Sequence, residues 1–373
     1  MNHSQNTKSG TMPAAPAQAA LPAPASRKRV NLALQGGGSH GAFTWGVLDA
    51  LLEDGRLDIN GISGASAGAV NTVAVAHGLA LAQRDGGDGY ALARDKLSSI
   101  WHGVMAAGTL NSLNENLASM LPYYSLLPNP MRIASTVLRQ WTSPYNLNPL
   151  DLNPLRSMLK REIDFDAIAA LKGHPLFISA THVNSGKAEI FTGKEVTLQA
   201  VMASACLPQI FQAVEIHGKA YWDGGYVANP PLTPLISLCD TPDILLVQIN
   251  PLVREGVPTT QSEISDRINE IGFNSNLLSQ MQVIGLINRL IEEGKLHEPD
   301  FKQVRMHRID GGDMLKDMSA ASRVSTDAGM IEQLFEHGRR QAKRWLSRNF
   351  AAVGERSSVN LRKDYADDMV INA

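Results

Sequence analysis

The stretch VNLALQGGGSHGAF at residues 30–43 decides the fold of this chain. Val30 to Leu34 is a short apolar run, which is typical of a buried parallel strand. A glycine-rich loop follows, and Ala42 to Glu53 then carries apolar residues at helical spacing. The order of strand, glycine loop and helix predicts an α/β protein with a mostly parallel sheet.

A second tight turn, GASAG at residues 64–68, lies between a predicted strand and a helix over Ala69–Leu81. It fits the pattern G-x-S-x-G of a nucleophile elbow, in which a serine occupies a sharp strand-to-helix turn. Gly64 and Gly68 leave room for such a turn. The hydroxyl of Ser66 would then be exposed at the positive end of a helix. Ser66 is therefore the candidate nucleophile.

The glycine loop before this turn has two chemical interpretations. Gly36, Gly38 and Gly41 fit the dinucleotide pattern G-x-G-x-x-G, with Asp54 or Asp58 available as the acid that binds a ribose. Alternatively, successive glycine amides point into one concavity and form an oxyanion hole. A third interpretation is a tight turn that simply requires glycine. A dinucleotide enzyme has no use for the serine turn, so the second turn favours the oxyanion hole.

A serine hydroxyl is a poor nucleophile without a base. Eight histidines follow Ser66, and none lies in a loop of small residues, so we expect them at the surface or in the core: His77, His102, His174, His182, His217, His297, His307 and His337. The better candidate is Asp223 in YWDGGY at residues 221–226, because Gly224 and Gly225 allow another backbone to approach closely. The structural alternative is a hairpin turn, for which Asp-Gly is a strong signal.

Together the three loops resemble those of the patatin-like phospholipase family. The family's G-G-G-x-x-G, G-x-S-x-G and D-G-G/A motifs match Gly36–Gly41, Gly64–Gly68 and Asp223–Gly225, in the same order. The segment ASACLP at 203–208 is also similar to a family segment near the site. The resemblance covers about residues 30–236. It implies a three-layer patatin-like hydrolase fold, and the chain adds a helical C-terminal extension to it.

The resemblance implies a Ser–Asp dyad that needs no metal and no cofactor. Ser66 would attack an ester carbonyl of a phospholipid or lysophospholipid and form an acyl-enzyme, with Asp223 as the proton acceptor. The implied oxyanion hole takes its residues from the glycine loop and from the position after the serine: Gly36, Gly37, Gly38, Gly41 and Ala67. His40 stands where the family more often carries Arg or Lys, and a neutral histidine would give the oxyanion less charge assistance.

The rest of the chain divides by composition. Residues 1–29 form an Ala/Pro-rich tail that we expect to be disordered, and the alternative is a transit or export segment. Residues 97–147 form an apolar insertion, which is either a helical pair packed on the core or a cap that lines an acyl-chain tunnel.

The C-terminal region, residues 237–353, is predicted to contain a last strand at Ile244–Ile249 and helices over 263–294 and 327–349. A frayed polar tail, residues 354–373, is expected after it.

Composition excludes several other classes of protein. A net charge of −2 gives the chain no strong electrostatic field to attract nucleic acid, which argues against a dedicated DNA- or RNA-binding protein. Two cysteines, Cys206 and Cys239, exclude a disulfide framework and a cysteine zinc site, and favour a reducing compartment. The chain contains no run of about 18 apolar residues, so the sequence predicts no transmembrane helix. We therefore expect a cytoplasmic enzyme that contacts a membrane only peripherally. The alternative hypothesis is that the protein is a lipid-binding scaffold with the same fold and no catalytic activity.

Overall fold

The computed structural model describes residues 27–120, 143–148, 151, 153–297, 301–318, 322–323 and 325–366. This part of the chain forms one mixed sheet of eight strands with helices packed on both faces. The predicted fold class, α/β with a mostly parallel sheet and a helical C-terminal region, is confirmed. Among the described residues, no helix combines the length and the apolar character that crossing a bilayer requires.

The elements are numbered along the chain. The strands are β1 Lys28–Leu34, β2 Leu57–Gly64, β3 Leu176–His182, β4 Ala188–Thr192, β5 Val214–Ile216, β6 Lys219–Asp223, β7 Asp243–Gln248 and β8 Arg305–Asp310. The helices of the described residues are α1 Gly41–Asp54, α2 Ala67–Asp85, α3 Gly89–Met120, α4 Pro144–Leu147, α5 Pro154–Glu162, α6 Phe165–Ala170, α7 Leu198–Ser204, α8 Thr233–Leu238, α9 Gln261–Glu292, α10 Gly312–Asp317, α11 Ala328–Asn349 and α12 Leu361–Tyr365.

The sheet has the strand order β5-β6-β3-β2-β1-β7-β8, and β4 also pairs with β3. Five strands are parallel to one another: β1, β2, β3, β7 and β8. Both β4 and β6 run antiparallel to β3. Because the carboxyl ends of parallel strands meet at one edge, the loops after β1 and β2 are neighbours in space.

The strand register brings the acid loop to the same edge. Leu34 pairs with Gly64, so β1 and β2 end at the same level. Gly64 in turn pairs with Ile178, and Ala180, two residues further along β3, pairs with Asp223. Asp223 therefore lies about two residues beyond the end of β2, which is the level of the serine turn.

Alternate residues of the central strands face two separate cores. Val30, Leu32 and Leu34 of β1 pack into one core with residues of α1, α2, α3 and α11. Ala33 and residues of β7 such as Ile244 pack into a second core with α8, α9 and α12. Side chains of a strand point alternately to opposite faces, so the two cores lie on the two sides of the sheet and produce three layers.

The C-terminal region is more closely built into the sheet than the sequence predicted. Ile244–Ile249 matches β7, but β8 is a further strand, which was missed because four of its six residues are charged or histidine. The polar tail expected from residue 354 is ordered as far as Ala366, since Tyr365 is buried and its hydroxyl donates to Gln248. Residues 1–26 of the predicted N-terminal tail lie outside the described residues, and β1 begins at Lys28, within the predicted tail.

The first part of the apolar insertion packs into the hydrophobic core. Leu97, Ile100 and Trp101 of α3 are almost completely buried, which agrees with the interpretation of a helix packed on the core. Residues 121–142 of the insertion lie outside the described residues.

Helices α1 and α11 approach each other at two glycines. A Cβ atom on Gly46 would overlap the backbone of Phe335, and one on Gly338 would overlap the carbonyl of Phe43. Neither glycine has a positive φ angle, so the requirement is for space. The two helices can pack this closely only because both positions lack a side chain.

We expect Gly338→Ala to destabilise the protein, because the new methyl group has no room against α1. Overpacking of this kind costs about 1–3 kcal/mol. Gly272→Ala is the matched control, since Gly272 lies inside α9 with nothing near its Cβ direction. It should stabilise by roughly 0.5–1 kcal/mol through helix propensity alone. Urea unfolding measures both values, and equal effects of the two substitutions would contradict the close helix contact.

Candidate active site

Ser66 lies on a strained turn between β2 and α2. Its φ and ψ angles are 53° and −122°, a region that a residue with a side chain rarely occupies. A Cβ atom on Gly64 would come within 2.5 Å of the Gly68 carbonyl group, and one on Gly68 would overlap the carbonyl of Leu34. The turn therefore needs glycine on both sides of the serine, as the elbow motif predicted.

Several hydrogen bonds hold this turn. The amide of Ser66 donates to Oγ of Ser204 in α7 at 2.9 Å, and the amide of Gly68 donates to the carbonyl of Ala65 at 2.8 Å. The hydroxyl of Thr72 donates to the carbonyl of Gly68 at 2.8 Å. Ser66 is 8% exposed and lines a cavity.

Asp223 ends β6 and is completely buried. Its Oδ1 accepts the amide of Gly225 at 2.7 Å, and its backbone amide donates to the carbonyl of Cys206 at 2.8 Å. Its Oδ2 is buried and accepts no hydrogen bond of normal geometry from the described residues. Gly224 is required because a Cβ there would overlap the carbonyl of Ser179.

The hairpin interpretation of the Asp-Gly-Gly sequence is wrong. β6 continues into a 3₁₀ turn at Gly224–Tyr226, and the antiparallel hairpin lies at the other end of the strand, around His217 and Gly218. Because the chain does not fold back at Asp223, the carboxyl group stays at the edge of the sheet beside the serine turn.

The burial of Asp223 raises the pKa of its carboxyl group to about 7. The amide of Gly225 and the hydroxyl of Ser66 both act in the opposite direction and lower this pKa. An aspartate with a pKa near neutrality is a much better proton acceptor than one with the ordinary value of about 4.

The glycine loop after β1 contains both engaged and free amides. The amide of Gly36 donates to Oδ1 of Asn229 at 2.6 Å, and that of Gly41 points back to the carbonyls of Gly38 and Ser39. Gly36 and Gly41 thus differ from the sequence expectation, because their amides are not available to an oxyanion. Gly41 instead gives space, since a Cβ there would lie 2.6 Å from that of Ala67.

The other three predicted donors are Gly37, Gly38 and Ala67, and their amides have no acceptor within the described parts of the chain. Gly38 has a φ angle of 60°, which glycine adopts without strain. Ala67 is the first residue of α2, where backbone amides have no partner inside the helix.

His40 is buried in this loop and is uncharged. Burial lowers the pKa of its imidazole to about 3, and the nearby positive charges of Arg323 and Arg254 act in the same direction. Its Nε2 lies 2.7 Å from Oγ of Ser322. The expectation that residue 40 supplies no positive charge is therefore consistent with its surroundings.

A cavity of about 370 Å³ opens beside Ser66. Its walls are mainly apolar and come from α2, α3, α5 and the segment after α7, with Val70, Ile100, Trp101, Val104, Leu155, Met158, Leu207 and Phe211 among the lining residues. Arg323 is the one charged residue among those that line it in the described structure. The start of the apolar insertion thus serves as cavity wall as well as core.

The alternative candidates lie elsewhere. Asp54 binds Arg56, and Asp58 pairs with Arg29 at the start of β1, so both acids are at the edge of the sheet opposite the glycine loop. None of the eight histidines after Ser66 lines the cavity. His307 contacts Asp243 and Ser358, but it is completely buried at the amino ends of β7 and β8.

Comparison with known proteins identifies a family for this chain. The family model described as "Patatin-like phospholipase" matches residues 32–236, which is more than half of the chain and includes all three loops. Among solved structures, VipD from Legionella pneumophila is similar over 91% of this chain and 73% of its own, with 14% sequence identity and a TM-score of 0.43. No curated protein sequence matches this chain. The extent of the family match shows that the chain belongs to the patatin-like phospholipase family.

Proposed function

We propose that this protein is a serine-dependent lipid acyl hydrolase that cleaves carboxylic esters of phospholipids or lysophospholipids and releases a fatty acid. The observation that carries the proposal is the fully buried carboxyl group of Asp223, which the strand register brings to the level of the Ser66 turn and whose pKa burial raises to about 7. A buried acid beside a serine on a strained turn lowers the stability of the fold, but such an acid can accept the proton of the attacking serine.

The reaction follows from this arrangement. Asp223 accepts the proton of Ser66 as the serine oxygen attacks the ester carbonyl, and the free amides of Gly37, Gly38 and Ala67 receive the developing negative charge. When the tetrahedral intermediate collapses, Asp223 returns the proton to the departing alcohol. Water then attacks the acyl-enzyme, again with Asp223 as the proton acceptor, and releases the fatty acid.

The apolar cavity beside Ser66 gives the acyl chain a place to bind. Each methylene group that leaves water contributes roughly 0.8 kcal/mol, so a long acyl chain gains several kcal/mol there. The cavity opens at the carboxyl edge of the sheet, next to the nucleophile. A lipid can therefore place its ester carbonyl at Ser66 while its chain lies against α3 and α5. We further propose that the enzyme works in the cytoplasm and contacts membranes only peripherally.

The decisive test is Ser66→Ala in the full chain. Hydrolysis of a short-chain nitrophenyl ester and of a phospholipid should fall by at least about a thousandfold, because the nucleophile is gone. Labelling of wild-type protein by a fluorophosphonate probe should disappear in the variant. Asp223→Asn should be nearly as damaging, with the double variant hardly worse, whereas His182→Gln should stay active. A wild-type protein that neither labels nor hydrolyses esters would instead favour a lipid-binding scaffold.

The rate should also depend on pH through Asp223. Since the base must be ionised, kcat/KM for a soluble ester should rise with pH, with an inflection near 7, and then level off. Neighbouring groups do not titrate there, because burial moves the pKa of His40 to about 3 and that of Cys206 to about 12. An inflection near pH 4 would show that the base is an ordinary exposed carboxylate.

The cavity should determine how well the enzyme hydrolyses esters of different acyl-chain length. Ala107→Phe adds a ring to the cavity wall in α3, so hydrolysis of long-chain esters should fall by tenfold or more while a butyrate ester is cleaved nearly as before. Ala106→Phe is the matched control, because Ala106 is next to Ala107 in α3 but is exposed. Equal effects of the two substitutions on long-chain esters would mean that the acyl chain binds elsewhere.

A further inference from the structure

One helix that lies outside the family match contacts two of the three active-site loops, the glycine loop and the acid loop. Helix α9 begins at Gln261, whereas the match ends at residue 236. Its buried face carries Glu270, Phe273, Asn274 and Leu277, which is the spacing of one helical stripe. The first three of these residues contact the oxyanion loop and the acid loop, directly or through one further residue.

Asn274 holds the start of the oxyanion loop through Gln35. Gln35 is completely buried, and its Nε2 donates to Oδ1 of Asn274 at 3.0 Å. The side-chain oxygen of Gln35 accepts the amides of Ile249 and Asn250 at 2.9 and 2.8 Å. Asn274 itself donates to the carbonyl of Pro251 at 2.9 Å. Gln35 directly precedes Gly36, so its position fixes where the glycine loop begins.

Glu270 holds the other end of the same loop through Arg323. It is 2% exposed, and Nη2 of Arg323 donates to its Oε1 at 3.0 Å. Arg254 and Arg267 also pair with Glu270, at 2.5 and 3.3 Å. The backbone of Arg323 lies directly against Gly38, and its neighbour Ser322 contacts His40.

Phe273 contacts the acid loop from the same helix. A Cβ on Gly225 would lie 3.2 Å from its ring, and that ring meets the ring of Tyr226 edge-on at 5.1 Å between centroids. The amide of Gly225 is the one that donates to the carboxylate of Asp223. One helix face therefore touches the residues next to the base and the residues next to the oxyanion donors.

We propose that α9 is part of the catalytic centre, with Glu270 and Asn274 as positioning residues that hold the Gly36–Gly38 loop in the geometry needed to receive an oxyanion. This inference rests on the proposed acyl hydrolysis and assigns a catalytic reason to the C-terminal region. An oxyanion hole acts through donors that are fixed before charge develops, so small displacements of the loop lower kcat more than substrate affinity.

The test compares two asparagines of the same helix in the full-length protein. Asn274→Ala removes the bonds to Gln35 and Pro251, whereas Asn288→Ala removes two bonds to the backbone of Val304 at the far end of the helix. The two variants lose similar interactions, so we expect similar decreases in Tm. With a soluble butyrate ester, Asn274→Ala should lower kcat at least tenfold with little change in KM, and should slow fluorophosphonate labelling to the same degree. Asn288→Ala should keep kcat within about twofold.

A double variant identifies the route of the effect. If Asn274 acts through Gln35, then Gln35→Ala with Asn274→Ala should have the same kcat as Gln35→Ala alone. Glu270→Gln should also lower kcat with little change in KM, whereas Glu270→Asp should partly restore it. Equal kcat for the two asparagine variants would overturn the inference while leaving the hydrolase activity of the wild type in place. An inactive wild type would overturn the proposed function and this inference with it.

Discussion

The site depends on one constraint, which is that β3 continues past the end of its neighbour β2. Ser66 follows β2 and Asp223 ends β6, and these two strands are not neighbours in the sheet. They are joined through β3, which pairs in parallel with β2 at its start and antiparallel with β6 near its end. Because Asp223 pairs with Ala180, two residues past the pairing of Ile178 with Gly64, the end of β6 lies at the level of the serine turn. A register shift of one residue would turn the carboxyl side chain to the opposite face of the sheet.

Two unfavourable features coexist at this edge, and the packing around them explains how the fold tolerates both. Ser66 has a positive φ angle, and Asp223 is a carboxyl group without access to water. Each is surrounded by backbone that leaves no alternative position, since side chains on Gly64, Gly68 or Gly224 would overlap neighbouring main-chain atoms. Strain of this kind persists only where the surrounding structure fixes it, and here it is fixed by contacts among four strands and the start of α2.

Short-range chemistry was predictable from the sequence, and long-range contacts were not. The glycine loop, the elbow and the Asp-Gly-Gly segment each carry their requirement for space within a few residues, so their elements and their common edge could be predicted. The engagement of Gly36 could not, because its partner Asn229 is distant in the sequence and an isolated asparagine gives no signal. β8 was missed for a related reason: its alternation of charged and buried residues is short, and it becomes a strand only by pairing with β7.

The same reasoning explains why the C-terminal helix was assigned no role from sequence. Helix α9 shows an ordinary pattern in which polar and apolar residues share its buried face, and Glu270 and Asn274 there resemble the polar residues of any long helix. Their meaning lies in their partners, Arg323 and Gln35, which reach the helix from opposite ends of the chain. Exposed residues on the other face, including Ile264, Ile268 and Ile271, make the pattern harder to interpret because they weaken the contrast between the two faces. A family boundary drawn from motifs therefore ends before the catalytic centre does, since motifs record the groups that touch the substrate and not the buried polar groups that hold them still.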